Sequence, residues 1–364
     1  MTSKKLSIAF ISSKRYSFYP PDYVKRGLGG SESALVLLSR ALARRGHRVE
    51  VYNCCFKPGE YEGVLWKPLW MFDPAEQRDV VVSLRLLETF EQDIVAPIRA
   101  VWIHDESLLG ATEMDNSGRV NLWIAVSETE KSFILRNELI KHDHWFVTSN
   151  AFDEDIYNEN LKKSKKISGQ LIYCSAPDRG LKYLFEYWKE IKQQVPHARL
   201  LVTGSYALWG NADEENNRFF SDLYKKADNL KGVKLLGRIS KKELALHQAK
   251  SELMVYPSVF DEMYCICALE CFAVGTPVVS TARAALNERI INGETGFVIN
   301  GHPSEREYRS KFIDTVVFLL KNKNTRSILS EKSKEIAKTE NYRNLALKWE
   351  IKFKKILSTK KYNP

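Results

Sequence analysis

Short apolar runs of strand length alternate with segments of helical period along most of this 364-residue chain. The runs are rich in Val, Ile and Leu and lack the strict polar alternation of a half-exposed strand. This pattern is typical of parallel strands buried on both faces. A regular succession of strand and helix predicts parallel sheets with helices on both sides. We therefore expect an α/β protein built from doubly wound, Rossmann-like sheets.

The predicted strands fall into two series of six, and the length also favours two domains, since a typical domain has about 150 residues. The first series is Leu6–Ile11, Val49–Tyr52, Asp79–Ser83, Ala100–His104, Leu122–Ser127 and Trp145–Ser149. The second is Leu171–Ser175, Arg199–Thr203, Val233–Leu236, Leu253–Tyr256, Pro277–Ser280 and Phe297–Ile299. The helices expected between the strands include Ser33–Arg45, Glu128–Lys141, Leu181–Gln194, Lys241–Lys250 and Tyr264–Ala273.

A polar segment rich in Lys and Ser, residues 156–169, separates the two series and predicts a linker. We expect one Rossmann-like domain over residues 1–155 and a second over residues 170–340. A basic helix over residues 341–364 is expected to pack back on the first domain. Two such domains predict a cleft, and ligands of these sheets lie beyond the carboxyl ends of the strands.

The composition, with 44% apolar and 27% charged residues, excludes collagen, low-complexity disorder and a disulfide mini-scaffold. The longest promising apolar stretch, Cys265 to Val279, contains Glu270 and is shorter than the ~18 residues that a membrane span needs. No small-residue cleavage site follows the N-terminal apolar run. The six cysteines are not spaced like a secreted disulfide framework, so reduced thiols are expected. These features predict a cytoplasmic protein, and peripheral attachment to a membrane stays open.

The formal net charge of +10 belongs to the C-terminal region. From Arg309 onward there are 15 Lys and Arg against 5 Asp and Glu, and the charges of the preceding residues balance. Such a surplus on helices is more often a solvated face than a binding surface. An anionic membrane surface or a nucleic acid remains an alternative partner for it. The sequence predicts no oligomeric state.

A glycine-rich loop ends in Gly27-Leu28-Gly29-Gly30-Ser31-Glu32-Ser33, directly before a predicted helix. Gly29 and Gly30 let the backbone approach a ligand, and a helix N-terminus favours negative charge, so a pyrophosphate or a sugar would suit this loop. The alternative is a turn with Ser31 or Ser33 as the N-cap. The spacing is not that of the dinucleotide fingerprint.

Two acidic residues form the sharpest constellation in the sequence. Glu262 lies in the loop after a predicted strand, and Glu270 lies eight residues later in the next predicted helix. Ionised carboxylates only accept hydrogen bonds, which suits a hydroxyl-rich ligand such as a sugar or a ribose. The backbone N–H groups between them predict an anion site, made by Met263, Tyr264, Cys265 and Ile266. The alternative is a surface Glu followed by a capping Glu.

The pattern Glu262-x7-Glu270, followed by Gly275-Thr276-Pro277-Val278-Val279, resembles the donor site of retaining glycosyltransferases of the GT-B fold, nucleotide-sugar family 4. Other segments resemble the family in order over nearly the whole chain. They are Gly29-Gly30 with Leu42–His47, Trp102–Asp105, Val126-Ser127, Asn150–Asp153 and Ser175–Gly180. The last of them resembles a subgroup with an S-x-P-D-R-G segment.

The resemblance implies a role for each matching residue. Glu262 would bind the hydroxyls of the donor sugar, and Glu270 those of the nucleotide ribose. Arg179 stands where the family has Lys and would neutralise the diphosphate. His104 would contact the transferred sugar. The implied catalytic residues are thus Glu262, His104 and Arg179, and Gly29 and Gly30 would close over the diphosphate and sugar.

One departure from the family affects the phosphate site. The family's Gly-Arg pair, five residues before its Lys, is replaced here by Tyr173-Cys174-Ser175. Only one phosphate cation is therefore assigned, and Lys182 or Arg238 is the candidate for the second. Base choice would depend on the loops Thr203-Gly204-Ser205 and Gly237-Arg238, which adds Gly204 and Arg238 to the donor-binding set.

The implied function is transfer of a sugar from a nucleotide-sugar donor, most simply a UDP or GDP sugar, to an acceptor hydroxyl with retention. The acceptor, expected to be a saccharide or glycan, would bind mainly to residues 1–150, and no metal or other cofactor would be required. Acceptor-binding residues are not assigned. The alternatives are a glycosyltransferase for modified DNA bases, a non-catalytic protein that binds nucleotide sugar or glycan, and a sugar-nucleotide epimerase.

Two patterns offer metal sites as alternatives. Asp153-Glu154-Asp155 is a D-x-D sequence that could hold Mn²⁺ or Mg²⁺ on a diphosphate. Cys265, Cys267 and Cys271 could form a soft metal site. Asp153 is already explained by the Asn-x-x-Asp match, and buried small residues explain the cysteines better. The sequence therefore predicts no metal site.

Overall fold

The computed structural model describes residues 4–12, 17–204 and 220–360 of the chain, and these residues fall into two compact units. The first unit comprises Met1–Tyr23, Leu28–Ala151 and Tyr342–Pro364, and the second comprises Val24–Gly27 and Phe152–Asn341. Each unit has its own sheet, and the strands of both sheets are parallel except for one edge strand. The predicted α/β class with two Rossmann-like sheets is therefore confirmed.

The first unit contains a sheet in the order β3-β4-β2-β1-β5-β6-β7-β8. Its strands are β1 (Ser7–Ile11), β2 (Arg48–Asn53), β3 (Gly59–Tyr61), β4 (Val64–Pro68), β5 (Val80–Leu84), β6 (Ile98–Trp102), β7 (Leu122–Ala125) and β8 (Trp145–Val147). The α-helices in this part of the chain are α1 (Pro20–Arg26), α2 (Gly30–Arg44), α3 (Ala111–Asn116) and α4 (Glu128–Ile134). Strand β1 lies between β2 and β5, and its Ile8 pairs with Val49 and Val80 in a fully buried layer.

The second unit contains a sheet in the order β11-β10-β9-β12-β13-β14. Its strands are β9 (Gln170–Cys174), β10 (Arg199–Thr203), β11 (Val233–Gly237), β12 (Leu253–Tyr256), β13 (Val278–Thr281) and β14 (Gly296–Ile299). Its α-helices are α5 (Glu159–Lys162), α6 (Leu181–Gln194), α7 (Ser221–Asp228), α8 (Lys241–Lys250), α9 (Ile266–Ala273), α10 (Leu286–Arg289), α11 (Arg306–Lys321) and α12 (Lys323–Ala337). The order reverses at the β9–β12 pair, where such sheets bind ligands.

The last helix, α13 (Tyr342–Lys360), belongs to the first unit. Its Trp349 is fully buried, and the Trp349 ring packs edge-on against Trp102 with centroids 4.9 Å apart. The carboxylate of Glu350 accepts a hydrogen bond from Arg45 Nε at 2.5 Å. The burial of Trp349 and the ion pair between Arg45 and Glu350 hold α13 on the first unit. In the described part of the chain, no helix combines the length and the apolar character that a bilayer span requires.

All twelve predicted strands are present, but β3 and β4 were missed. Both lie at the edge of the sheet, and most of their residues are exposed or half-buried, so they lack the continuous apolar run of a central strand. Helix α4 ends at Ile134 rather than at the predicted Lys141. The reason is Glu138, whose buried carboxylate accepts hydrogen bonds from the backbone N–H groups of Gly110 and Thr112 and so fixes a loop there.

Candidate functional site

The two predicted catalytic residues of the second unit follow neighbouring parallel strands, β9 and β12. A 3₁₀ turn, Pro177–Arg179, follows β9, and a loop of residues 257–265 follows β12. Because the carboxyl ends of parallel strands meet at one edge of a sheet, these segments lie side by side. Gly180 allows their close approach, since a Cβ at this residue would lie 2.0 Å from the carbonyl oxygen of Pro257, and its φ is +118°.

The loop after β12 is held by its own hydrogen bonds. The buried Ser258 hydroxyl accepts from the N–H of Phe260 at 3.1 Å and donates to the carbonyl oxygen of Phe260 at 3.1 Å. The carbonyl oxygen of Glu262 accepts from the N–H of Ala285 at 3.0 Å. These contacts fix the backbone from which the Glu262 side chain projects.

The carboxylate of Glu262 is the centre of a hydrogen-bonded group. Its Oε1 accepts from Arg179 Nη1 at 3.0 Å and from the Tyr256 hydroxyl at 2.6 Å. The Tyr256 oxygen in turn accepts from the Ser175 hydroxyl at 3.1 Å. The Glu262 side chain is 13% exposed and that of Arg179 is 22% exposed, so a ligand can reach both. The structure therefore brings two of the three predicted catalytic residues into direct contact.

The charges around Glu262 are stable over the physiological pH range. Burial acts to lower the pKa of Arg179, but the charge of Glu262 outweighs it and holds that pKa above its usual range. Burial and the charge of Glu262 raise the pKa of Tyr256 well above its usual range, so its hydroxyl stays protonated and donates. The guanidinium of Arg179 also stacks on the ring of Phe260, 3.9 Å from the centroid, which fixes its plane.

Glu270 lies on α9 and is 2% exposed. Its Oε1 forms an ion pair with Lys241 Nζ, at the start of α8. Its Oε2 is buried and has no hydrogen-bond partner among the described residues. A buried carboxylate oxygen without a donor is costly, and such a group is expected to gain one from a ligand. A hydroxyl is the complementary donor, and the contact of Glu270 with a ribose stays a prediction.

The predicted anion site at Met263, Tyr264, Cys265 and Ile266 differs in one respect from the sequence prediction. Helix α9 starts at Ile266, not at Tyr264, because Cys265 has left-handed backbone geometry with φ +63° and is the N-cap. The first N–H groups of a helix have no partner within the helix. The Tyr264 side chain is directed to Glu340, to which its hydroxyl donates at 3.2 Å. The anion site at these four residues stays a prediction, with Cys265 rather than Met263 at the N-cap of the helix.

The two loops assigned to base recognition are described in part, and Ser205 lies outside the described residues. Gly204 has φ +131°, and a Cβ there would lie 2.1 Å from the carbonyl oxygen of Ser175. Arg238 donates from Nε to the carbonyl oxygen of Arg26 at 2.6 Å and from Nη2 to that of Gly27 at 2.9 Å. Arg238 therefore holds the backbone at Arg26 and Gly27.

The residues that replace the family's Gly-Arg pair form hydrogen bonds within the second unit, one of them to Tyr256. The Tyr173 hydroxyl donates to the carbonyl oxygen of Ala176 at 2.7 Å, and Cys174 is buried beside Gln248. Ser175 donates to Tyr256. Lys182, the other candidate phosphate cation, is exposed, with its Nζ 5.5 Å from the Tyr183 ring centroid.

The remaining predicted residues, Gly29, Gly30 and His104, belong to the first unit. Gly29 is the N-cap of α2, and Gly30 is its first residue. His104 follows β6, and its ring lies 4.7 Å from that of Trp102. Burial lowers the pKa of His104 to about 3, with the charge of Arg85 acting in the same direction, so the imidazole is neutral at physiological pH. Its Nε2 is buried without a hydrogen-bond partner in the part of the chain that is described.

Neither of the alternative metal patterns forms a cluster. Over the described residues, no group of three or more His, Cys, Asp or Glu side chains is arranged to hold a metal ion. Asp153 is buried, and its Oδ1 accepts from the N–H of Asp155 at 3.1 Å. Cys271 lies 3.7 Å from the sulfur of Met254 in the core.

Sequence reasoning missed two residues that contact the predicted site carboxylates, Tyr256 at Glu262 and Lys241 at Glu270. Tyr256 ends an apolar strand, and nothing in a strand pattern distinguishes a hydroxyl that donates to a carboxylate from an ordinary aromatic core residue. Lys241 is 29 residues away from Glu270 and was placed only within a helix. A position directly before the loop that carries Glu262 is the one signal that points to Tyr256.

Residues 158–336 match the family model described as "Glycosyl transferases group 1". The chain carries a Glycosyl transferases group 1 domain. This domain contains every candidate site residue of the second unit, from Arg179 to Glu270.

One curated relative is the lipopolysaccharide 1,2-N-acetylglucosaminetransferase of Salmonella typhimurium, 23% identical over 219 residues. The match covers 57% of this chain and 56% of that relative, so the chain spans about half the length of the curated protein. Among solved structures, a sucrose-phosphate synthase from Thermosynechococcus elongatus has a TM-score of 0.72 and 16% identity over 97% of this chain and 100% of that one. The HepE protein of Anabaena, solved with UDP and glucose, has a TM-score of 0.70 and 15% identity over the same shares. These similarities show that the chain has the GT-B fold.

Proposed function

We propose that this protein is a retaining glycosyltransferase of family 4 that transfers a sugar from a nucleotide-sugar donor to a hydroxyl of a saccharide or glycan. The observation that carries the proposal is the contact between Glu262 and Arg179 at the carboxyl ends of β9 and β12. This contact places a hydroxyl-binding carboxylate beside a permanent cation, and a nucleotide sugar presents a sugar next to a diphosphate.

The nucleotide is held by Glu270 in this proposal. The buried Oε2 of Glu270 accepts from a ribose hydroxyl, and its Oε1 stays paired with Lys241. UDP and GDP sugars are the proposed donors. The structure of the Anabaena HepE protein with UDP and glucose supports a uridine donor for this fold.

The chemistry is carried by electrostatics on the leaving group. The bond between the anomeric carbon and the diphosphate oxygen breaks, and the acceptor oxygen forms the new bond on the same face. The departing phosphate oxygen takes the proton of the acceptor hydroxyl. Negative charge develops on the diphosphate, where Arg179 and the N-terminus of α9 stabilise it. Because these groups supply positive charge, the proposal requires no metal ion or other cofactor.

The first unit contributes the remaining groups. His104, as a neutral imidazole, and Gly29 and Gly30 keep the roles that the family resemblance implies for them. The acceptor binds to the first unit, whose strand-end loops differ in sequence from those of the second.

A ligand screen tests the proposal. A nucleotide that binds only the folded protein raises its stability by mass action, by about 2.7 kcal/mol at about 100 times Kd. We expect UDP or GDP, with their sugars, to raise Tm in a thermal-shift panel that also contains ADP. The same donors should release nucleotide slowly in water, because transferases lose some donor to hydrolysis.

Two variants make the screen specific. Glu270→Gln should reduce the Tm shift, since it weakens the ribose contact. The matched control is Glu243→Gln, which changes an exposed glutamate of the same unit. A panel in which no nucleotide or nucleotide sugar shifts Tm would overturn the proposal, and binding without any hydrolysis or transfer would favour a non-catalytic binding protein.

A further inference from the structure

A second charged group lies at the carboxyl edge of the first sheet. Arg85 directly follows β5, and His104 and Asp105 follow β6, the parallel neighbour of β5. The N–H of Arg85 donates to the carbonyl oxygen of Trp102 at 3.1 Å, which ties the two strand ends together. This edge of a parallel sheet is where ligands bind, and no role has so far been assigned to Arg85 or Asp105.

The Arg85–Asp105 pair has a fork geometry. Arg85 Nε donates to Asp105 Oδ2 at 2.6 Å, and Arg85 Nη2 donates to Asp105 Oδ1 at 2.6 Å. The side chains are 38% and 34% exposed, so one edge of the pair faces solvent. A pair of this exposure contributes little to stability. Stability alone therefore does not account for the pair.

The backbone of Arg85 is strained. Its φ is +67°, in the left-handed region that favours glycine. Strain of this kind costs more than a partly exposed ion pair returns, and it is concentrated at functional sites. The residue at this position is an arginine, although a glycine would adopt the same backbone conformation without strain. The guanidinium is the group that arginine provides and glycine lacks.

The groups around the pair are polar and incompletely satisfied. Arg85 Nη1 lies 3.5 Å from the Ser31 hydroxyl, at the N-terminus of α2. Glu130 is fully buried, and its Oε1 has no hydrogen-bond partner within the described ranges. Burial raises the pKa of Glu130 well above its usual range, and the charges of Asp105 and Arg85 also act on it, which places this acid near the pair. The Nε2 of His104 is likewise buried and unpartnered.

This set of groups fits a neutral, hydroxyl-rich ligand. The guanidinium and carboxylate cancel in charge, and the neutral imidazole of His104 adds none. A sugar hydroxyl both donates and accepts, so it can bridge a carboxylate and a guanidinium at once.

We propose that Arg85 and Asp105 form the subsite that binds hydroxyl groups of the acceptor saccharide beside His104. This inference rests on the proposed function, because it names the residues that hold the acceptor of that reaction. Asp105 accepts from an acceptor hydroxyl, and Arg85 orients Asp105 and donates to a neighbouring oxygen.

The test separates donor from acceptor. Wild-type protein is assayed first for nucleotide release from UDP and GDP sugars in water, and then for transfer to a panel of methyl glycosides and their phosphate esters. With a panel member that accepts sugar, Asp105→Asn and Arg85→Gly should each raise the acceptor KM about tenfold or more, the effect of losing one charge-assisted hydrogen bond. The donor KM should change far less.

A control and a stability measurement exclude a merely structural role. Asp79 precedes the same strand β5 and pairs with Lys4 at 2.8 Å, so Asp79→Asn removes an ion pair at the opposite end of that strand. It should leave the acceptor KM unchanged. Arg85→Gly should keep or raise Tm, because glycine adopts a positive φ without strain. A structural role predicts the reverse, with a lower Tm and an unchanged acceptor KM.

The outcomes distinguish this inference from the function on which it rests. If wild type hydrolyses donor but transfers to no saccharide of the panel, or if both variants keep the wild-type acceptor KM, the subsite is wrong and the donor reaction stands. If transfer occurs only to the phosphate esters, the neutral ligand class is wrong. If no nucleotide sugar is hydrolysed or transferred, the proposed function and the subsite both fail.

Discussion

The charged pairs at the strand ends of the two units differ in burial and in whether a sequence motif predicts them. In the second unit, Glu270 and Lys241 form a buried pair, and Glu262 and Arg179 form a pair that is mostly buried. In the first unit, Arg85 and Asp105 are about a third exposed. The buried carboxylates stand in a motif that resembles a known donor site. Of the exposed pair, Asp105 ends a segment that resembles the family, Trp102–Asp105, but no role was predicted for it, and Arg85 lies outside every such segment.

The difference reflects what each site is proposed to bind. Glu262 and Glu270, proposed to hold one extended donor, lie eight residues apart in one segment of the sequence. Arg85 and Asp105, proposed to hold the acceptor, come from the ends of two different strands. A buried pair also tolerates the loss of one partner poorly, because a lone buried charge is costly, whereas an exposed pair can lose a partner with little effect on the fold.

The largest effect is expected at Glu262. Glu262→Ala removes the carboxylate that contacts the sugar and leaves Arg179 and Tyr256 without their shared acceptor. We expect kcat/KM to fall by about 10³-fold, the upper range for one electrostatic contact in a transition state. Steady-state transfer measures this, with circular dichroism to confirm the fold. Activity within about tenfold of wild type would place catalysis elsewhere.

The next effect concerns stability rather than catalysis. Lys241→Met leaves the Glu270 carboxylate buried and unpaired, and we expect the free energy of unfolding to fall by about 3 kcal/mol. Urea denaturation measures the change, and the exposed neighbour in Lys242→Met is the control. Adding Glu270→Gln should recover much of the loss. An unchanged midpoint in Lys241→Met would show that the pair is not buried as described.

A pH effect of intermediate size is expected from His104 in the first unit. Its folded pKa of about 3 is below the ordinary value of about 6.5, so between these values the unfolded chain binds a proton that the folded chain does not. Stability should therefore fall as the pH decreases through this window, by about 2 kcal/mol at about pH 5. Urea denaturation across the window should show a shallower dependence for His104→Gln, and identical slopes would contradict the buried neutral imidazole.

The smallest effect is expected at Tyr256. Tyr256→Phe removes the hydroxyl that donates to Glu262 at 2.6 Å but keeps the ring. We expect kcat to fall about tenfold with little change in the donor KM, because the carboxylate is less firmly oriented. Tyr173→Phe is the matched control, since that hydroxyl donates to a backbone carbonyl instead. Equal losses in both variants would indicate a general packing defect.

The sequence predicted most of the fold because the central strands are buried on both faces, which leaves a continuous apolar run. Strands β3 and β4 were not predicted, because edge strands are partly exposed to solvent and so lack a continuous apolar run. Glu262 and Glu270 were readable from local spacing. Tyr256, Lys241 and the Arg85–Asp105 pair were not, because their partners come from other strands and helices and only the folded chain brings them together.

The pair of glycines at residues 180 and 204 has a practical consequence for redesign. A methyl group at either residue would run into a backbone carbonyl, at 2.0 Å for Gly180 and 2.1 Å for Gly204. Directed-evolution libraries that aim at a new donor should hold both glycines fixed, because no partner side chain can move aside to accommodate a larger residue. The randomised residues are better chosen among side chains that face the ligand, where a substitution changes recognition and does not displace the loops.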